Sequence, residues 1–469
     1  MKRAHRRTIL RWTRWQRRRG FGPADDESSL LALALLALLS GAGSGLIVAI
    51  FRLTLQHADH LRDMLIVRAH HQPLIGFVLV VAGCAGAVAL AAWLVRRISP
   101  QASGSGIPQV EAALTGDLPP APPWVVLVKF VGGVLTIGAG MALGREGPSV
   151  QMSAVVAHIV GKRFHRSWPD RRTLLAAGAG AGLAVAFNAP IAGAVFVLEE
   201  LVRRFETRIA IAALGASSAA ILISRLFLGD APDFQVTISP QAATATGPLP
   251  YAAAAVWPLY VALGVAVGLA ASAYNRAILK TMSLAGRLDD HWPAEVQGAA
   301  IGALIGLIGW FAPGLIGGGD EITKRLLAGG SAIAMIPFAF MVRFLLGAVC
   351  YGARTPGGLF APLLVLGAQF GLVCGALCQA IFPHLGIEPT AFAVVGMAVF
   401  FTGVVQAPIT GIVLVIEMTA AFTALLPMLA ACFAAMVTAN LLHTAPIYDS
   451  LRESVIKGSA QRHPGTQRP

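Results

Sequence analysis

Asn188-Ala-Pro-Ile-Ala-Gly-Ala-Val-Phe-Val-Leu-Glu199 returns later in the chain as Gln406-Ala-Pro-Ile-Thr-Gly-Ile-Val-Leu-Val-Ile-Glu417. Each copy opens on an amide side chain and an Ala-Pro step, runs apolar, and ends on a carboxylate. A duplicated apolar unit in a chain this hydrophobic predicts a membrane protein built from two structural repeats, with the transported species held where they meet.

The composition requires a bilayer. Of 469 residues, 56% are apolar and only 13% charged, and the mean hydropathy is +0.70, far outside the range of a soluble domain. The net charge of +13 does not imply nucleic acid. Its basic residues crowd the first twenty positions, from Lys2 and Arg3 to Arg17, Arg18 and Arg19, as a juxtamembrane segment facing anionic lipid would. The apolar run from Leu30 to Leu53 is too long for the core of a cleaved signal peptide. Five cysteines (Cys84, Cys350, Cys374, Cys378, Cys432) are scattered through apolar runs and read as packing, with no disulfide framework, metal site or cofactor expected.

Apolar stretches run about 30 to 56, 74 to 95, 124 to 143, 173 to 198, 208 to 228, 252 to 275, 297 to 311, 331 to 350, 358 to 382, 391 to 416 and 421 to 442. Several are too short or too broken by glycine and proline to span alone. In a membrane such breaks are tolerated where they line a cavity, so they point to the pathway. Lys162, Arg163, Arg166, Arg171 and Arg172 mark one cytoplasmic loop, and Arg203, Arg204 and Arg208 another; the stretch Gly229 to Pro250 has no Lys or Arg and is expected outside. The organisation expected is a basic cytoplasmic segment over 1–29, one membrane domain over 30–451 with repeats at about 30–228 and 252–451, and a short cytoplasmic tail over 452–469, too short for an appended regulatory module.

Four breaks share a design, a Gly- or Pro-containing turn leading into a helix: Ser103-Gly-Ser-Gly-Ile-Pro108, Gly144-Arg-Glu-Gly-Pro-Ser149, Pro356-Gly-Gly-Leu-Phe-Ala-Pro362, and the region before Tyr448. A helix that begins in mid-membrane aims unpaired N–H groups and its positive dipole end at what lies ahead. Several such ends together would hold an anion without a fixed cation, weakly enough to release it. The second and third breaks align as a repeat pair, and there Glu146 of one copy faces Phe360 of the other. Glu146 is either a structural carboxylate, paired to Arg145 or to backbone N–H, or a gate that competes with an anion and swings away when protonated. Glu199, repeated as Glu417, reads as architectural. Glu200, whose counterpart is Met418, reads as a proton relay, the alternative being an ion pair with Arg203 or Arg204. Lys129, alone in an apolar helix, needs a partner, and Glu111 is the one expected.

Gly-Ser-Gly-Ile-Pro (104 to 108), Gly-Arg-Glu-Gly-Pro (144 to 148), Gly-Leu-Phe-Ala-Pro (358 to 362) and a late Tyr448, in this order and spacing, resemble the CLC family of chloride channels and proton/chloride antiporters. The resemblance runs from about Leu30 to Leu451. It implies an all-α membrane fold with two inverted-topology repeats and many tilted or broken helices. It further implies an anion held by the hydroxyls of Ser105 and Tyr448 and the backbone N–H groups of Leu359 and Phe360, Glu146 as gating glutamate, and a homodimer with one pathway per subunit. Ser105 stands where chloride-preferring members carry serine and nitrate-preferring plant members proline. Gly-Arg-Glu-Gly-Pro followed by Ser149 is unlike the family's fluoride exporters, which depart from this motif. Glu200 matches the inner proton glutamate of the antiporters. Arg354 is a departure; it either enriches anions near the mouth or faces lipid headgroups. The missing cytoplasmic domain pair implies a prokaryotic member, in a bacterial inner membrane with both termini cytoplasmic.

The function expected is therefore proton-coupled chloride antiport, with a passive CLC chloride channel or an exchanger of another anion as the alternative. An intramembrane serine hydrolase is disfavoured: the histidines sit mostly at loops and ends, and no Gly-x-Ser-x-Gly frames Ser105 or Ser44.

Overall fold

The computed structural model describes residues 30–462 apart from 231–233, 235, 237–255, 290 and 331. The basic segment 1–29 and most of the loop expected outside lie beyond the described residues. Seventeen helices follow one another, with no strand among the described residues. The first half holds α1 (Leu30–Ala69), α2 (Pro73–Arg97), α3 (Ile107–Thr115), α4 (Trp124–Gly138), α5 (Glu146–Arg163), α6 (Trp168–Phe187), α7 (Pro190–Phe196) and α8 (Thr207–Leu228). The second holds α9 (Trp257–Leu288), α10 (Ala294–Phe311), α11 (Asp320–Leu327), α12 (Ile336–Gly352), α13 (Phe360–Ile381), α14 (Pro389–Val405), α15 (Pro408–Thr419) and α16 (Leu425–Leu441), and α17 (Ile447–Arg462) closes the chain. Eight of the described helices are long and apolar enough to cross a bilayer. This is a multi-pass membrane protein.

The two halves match helix for helix, and two reciprocal contacts fix how they face each other. Glu199, just past α7, accepts hydrogen bonds from the N–H groups of Ile409 (3.0 Å) and Thr410 (2.6 Å) at the start of α15. Glu417, near the end of α15, accepts from Ile191 (3.1 Å) and Ala192 (2.7 Å) at the start of α7. Each carboxylate satisfies donors that a helix start leaves unpaired. Because each end meets the other's beginning, α7 and α15 run antiparallel, so the repeats are inverted. The second contact is an antiparallel bridge: Gly144 N–H donates to Gly358 O at 2.9 Å and Gly358 N–H to Gly144 O at 2.7 Å. The pseudo-two-fold axis passes between these two pairs of equivalent residues.

The apolar runs at 173–198 and 391–416 are not single helices. Each is cut at the equivalent residue, Asn188 (φ 50°) and Gln406 (φ 64°), which turn left-handed and end α6 and α14. The prolines that follow, Pro190 and Pro408, occupy first-turn positions of the next helices, where the missing N–H costs nothing. Helices α3, α5, α11 and α17 are absent from the apolar pattern because they are short or carry polar residues. The boundary expected after Leu451 falls inside α17.

Lipid tails are as apolar as leucine, so helix association here rests on close packing rather than on burial from water. Helix α6 is buried on all sides from Leu174 to Phe187. A Cβ on its Gly178 would stand 2.6 Å from the Ser153 carbonyl of α5, so glycine is what lets these two helices touch. In the second half α13 and α14 make the equivalent crossing at Gly367 and Gly396. These pairs hold the starts of α5 and α13 rigidly at the centre of the molecule.

Candidate anion site

Four helix starts bring the candidate residues together. The 104–106 turn needs glycines: Gly104 and Gly106 have φ of 64° and 95°, a region that costs a residue with a Cβ. Between them Ser105 is fully buried, and α3 begins immediately after. Its hydroxyl lies against the first turn of α5, where a Cβ on Gly147 would stand 2.5 Å from Ser105 Oγ and 2.6 Å from its carbonyl oxygen. The Gly144–Gly358 bridge joins the start of α5 to that of α13. Tyr448, in the first turn of α17, packs its ring against Phe360 at 5.8 Å.

Phe360 is further enclosed by Phe401 (4.6 Å), Phe196 (5.7 Å) and Phe187 (6.3 Å). The centre is therefore dry, and polar groups in it are costly unless partnered. Ser105 Oγ, Tyr448 Oη and Glu146 Oε2 are nonetheless buried without a hydrogen-bond partner in the protein. The two hydroxyls, able to donate and unsatisfied beside helix starts, fit an anion site, and the Glu146 carboxylate stands where an anion would. Glu146 is fully buried, and its Oε1 accepts a hydrogen bond from Phe360 N–H at 2.5 Å. Arg145 is not its partner. That guanidinium pairs with Asp320 at 2.9 Å, and its Nε donates to Ala186 O.

Glu200 lies elsewhere, in a π-helical turn over Val197–Leu201 that continues α7. It is buried, with Arg203 Nη2 at 3.4 Å. Arg203 also reaches Asp449 (2.7 Å) and Glu111 (3.5 Å), and Arg452 reaches Glu111 at 3.1 Å. Arg204 instead faces Glu206. Glu200 thus sits in a charged network between α3, α7 and α17, apart from Glu146.

Two expectations are corrected. Lys129 does not pair with Glu111; its ammonium donates to the carbonyls of Ala102 (2.9 Å) and Gly104 (2.6 Å), while Glu111 turns to Arg203 and Arg452. Lys129 thereby clamps the turn that carries Ser105. Arg354 is committed neither to an anion nor to headgroups, since it forms a two-pronged pair with Asp289. Sequence reasoning also missed Thr136, whose hydroxyl donates to Pro356 O at 2.6 Å. With Lys129 it lets α4 hold both loops of the site, and the only sequence signal was two polar residues two turns apart on one face of an apolar helix.

Residues 86–440 match the Voltage gated chloride channel family. The chain is 36% identical over 453 residues to the H(+)/Cl(-) exchange transporter ClcA of Citrobacter koseri, covering 94% of this chain and 93% of that protein. It is 36% identical over 449 residues to that of Cronobacter sakazakii, covering 93% and 92%. Among solved structures, a slow cyanobacterial Cl-/H+ antiporter superposes with a TM-score of 0.84 at 32% identity, covering 91% of this chain and 98% of that one. A CLC-type fluoride/proton antiporter, at 21% identity and a TM-score of 0.73, shares the fold, over 91% of this chain and 98% of that one. With most of its length matched by the family and by these relatives, this chain belongs to the voltage-gated chloride channel family.

Proposed function

We propose that this protein exchanges chloride for protons across a bacterial inner membrane, with both termini cytoplasmic. The observation that carries the reading is the Glu146 carboxylate seated on the Phe360 N–H, among the unsatisfied hydroxyls of Ser105 and Tyr448. A carboxylate there occupies a donor that an anion needs. Protonation removes the negative charge and the reason to stay, so the anion can take the donor while Glu146 carries a proton away. Occupancy by chloride and ionisation of Glu146 then exclude each other, which couples the two flows. Ser105, Tyr448 and the N–H groups of Leu359 and Phe360 hold the anion in this account. Protons cannot cross a site tuned for negative charge from the far side, so Glu200 receives them through its network with Arg203, Glu111 and Asp449. No covalent chemistry is involved.

Two subunits meeting through α7–α8 and α15–α16 complete the proposal. Ile191, Leu222, Ile409 and Phe433 are large, apolar and more than half exposed on these helices, and an isologous contact would cover them.

Purified protein in liposomes, followed by a chloride electrode and a pH electrode together, tests the function. An outward chloride gradient is expected to drive protons inward against their own gradient. In Glu200→Gln chloride should still move while proton movement stops, because the amide cannot carry a proton. Chloride flux with no uphill proton movement in the unaltered protein would make it a passive channel.

A further inference from the structure

Arg354 stands in an unfavourable place for an arginine. Its φ is 55°, a left-handed conformation that a long side chain adopts only when surroundings enforce it. Two contacts do so. Its carbonyl accepts a hydrogen bond from Ser103 Oγ at 2.8 Å, and its guanidinium grips both oxygens of Asp289, which lies just past the end of α9. The Asp289 carboxylate is held in turn by Gln297 Nε2 at 3.0 Å. Exposed ion pairs are usually worth little, but a two-pronged guanidinium–carboxylate pair is the geometry that fixes both partners.

The location gives this pair a consequence. Arg354 lines, with Ser103, Ser105, Tyr351 and Leu451, a cavity of about 40 Å³ between the candidate anion-site serine and α17, which the transport reading makes the α17-side mouth of the pathway. An unpaired guanidinium at this mouth would attract chloride strongly and slow its departure. Bound to Asp289, it presents no net charge.

We propose that Asp289 neutralises Arg354 to keep anion binding weak at the α17-side mouth, making the pair a determinant of apparent chloride affinity rather than a chloride ligand. The inference rests on the transport reading above. Chloride flux is measured in oriented vesicles as a function of chloride on the α17 side for the unaltered protein, Asp289→Asn, Arg354→Gly and the double variant. Freeing the cation in Asp289→Asn should lower the half-saturating chloride roughly three- to tenfold and lower the maximal rate with it. Arg354→Gly, in a conformation glycine prefers, leaves the Asp289 carboxylate unneutralised and should raise half-saturation severalfold, whereas the double variant, neutral at both positions, should stay close to the unaltered protein. A half-saturation raised as much in the double variant as in Arg354→Gly would overturn the proposal in favour of an arginine that recruits chloride directly. Equal losses of rate in both single variants, with half-saturation unmoved, would overturn it in favour of a purely structural latch. Absence of chloride flux in the unaltered protein would instead defeat the transport reading itself.

Discussion

The starts of α5 and α13 are equivalent in backbone and opposite in chemistry. Both follow a glycine of the Gly144–Gly358 bridge, and both carry a proline in the first turn. At matched positions, however, the first copy has Glu146 and Gly147 where the second has Phe360 and Ala361. The same contrast appears at α7 and α15. Glu199 and Glu417 play one role twice, but the next residue is Glu200 in a π-helical turn in the first copy and Met418 in a regular helix in the second. Duplication supplies a symmetrical frame of helix ends; the titratable groups that would move protons occur on one side only. A carboxylate in both copies would put two like charges at one dry site, which neither could sustain.

The contrast can be broken at its weakest point, Gly147. Gly147→Ala should lower chloride turnover roughly tenfold or more, since the added methyl lands on Ser105 and displaces a ligand-bearing turn. Ala361→Gly should leave transport near normal and cost about 0.5–1 kcal/mol of stability. Equal effects of the two would mean that the site does not lean on the first repeat. The symmetrical pair supplies the opposite control. Glu199→Gln and Glu417→Gln should each destabilise the protein by about 1–3 kcal/mol through weakened bonds to two helix-start donors, visible as similar falls in detergent melting temperature with the proton-to-chloride ratio kept. A changed ratio in only one of them would show that the repeat is functionally asymmetric there too. The smallest effect is expected at Ser105. Replacing its single donor with proline should shift preference from chloride toward nitrate by about severalfold in competition flux assays.

Much of the architecture was legible because its causes are local. Pro190 and Pro408 announce helix starts, and the two copied segments announce a duplication. Inversion was not legible from those residues, since a repeat's orientation shows only when Glu199 and Glu417 are seen to cap each other's helices. The candidate anion-site residues were accessible through the glycine turns around Ser105, Glu146 and Phe360, which need positive φ or close approach. The partners of Lys129 and Arg354 were not. Pairing charge with charge is a sound rule for isolated groups, but Lys129 finds two carbonyl oxygens closer at hand, and backbone acceptors leave no trace in the sequence. Asp289, near the end of a helix far from Arg354 in the chain, becomes its partner only through the packing of α9 against α12.

The central claim is that Glu146 and a chloride ion compete for the Phe360 N–H. Crystals of the unaltered protein and of Glu146→Gln, grown in bromide and measured at the bromine absorption edge, test this directly. The account predicts an anomalous peak within hydrogen-bond distance of the Phe360 N–H in Glu146→Gln, where the neutral amide has left the donor. In the unaltered protein at neutral pH that position should hold the carboxylate and no bromide. A bromide peak at Phe360 with the Glu146 carboxylate still bound there, or an amide that keeps the donor and excludes bromide, would contradict it.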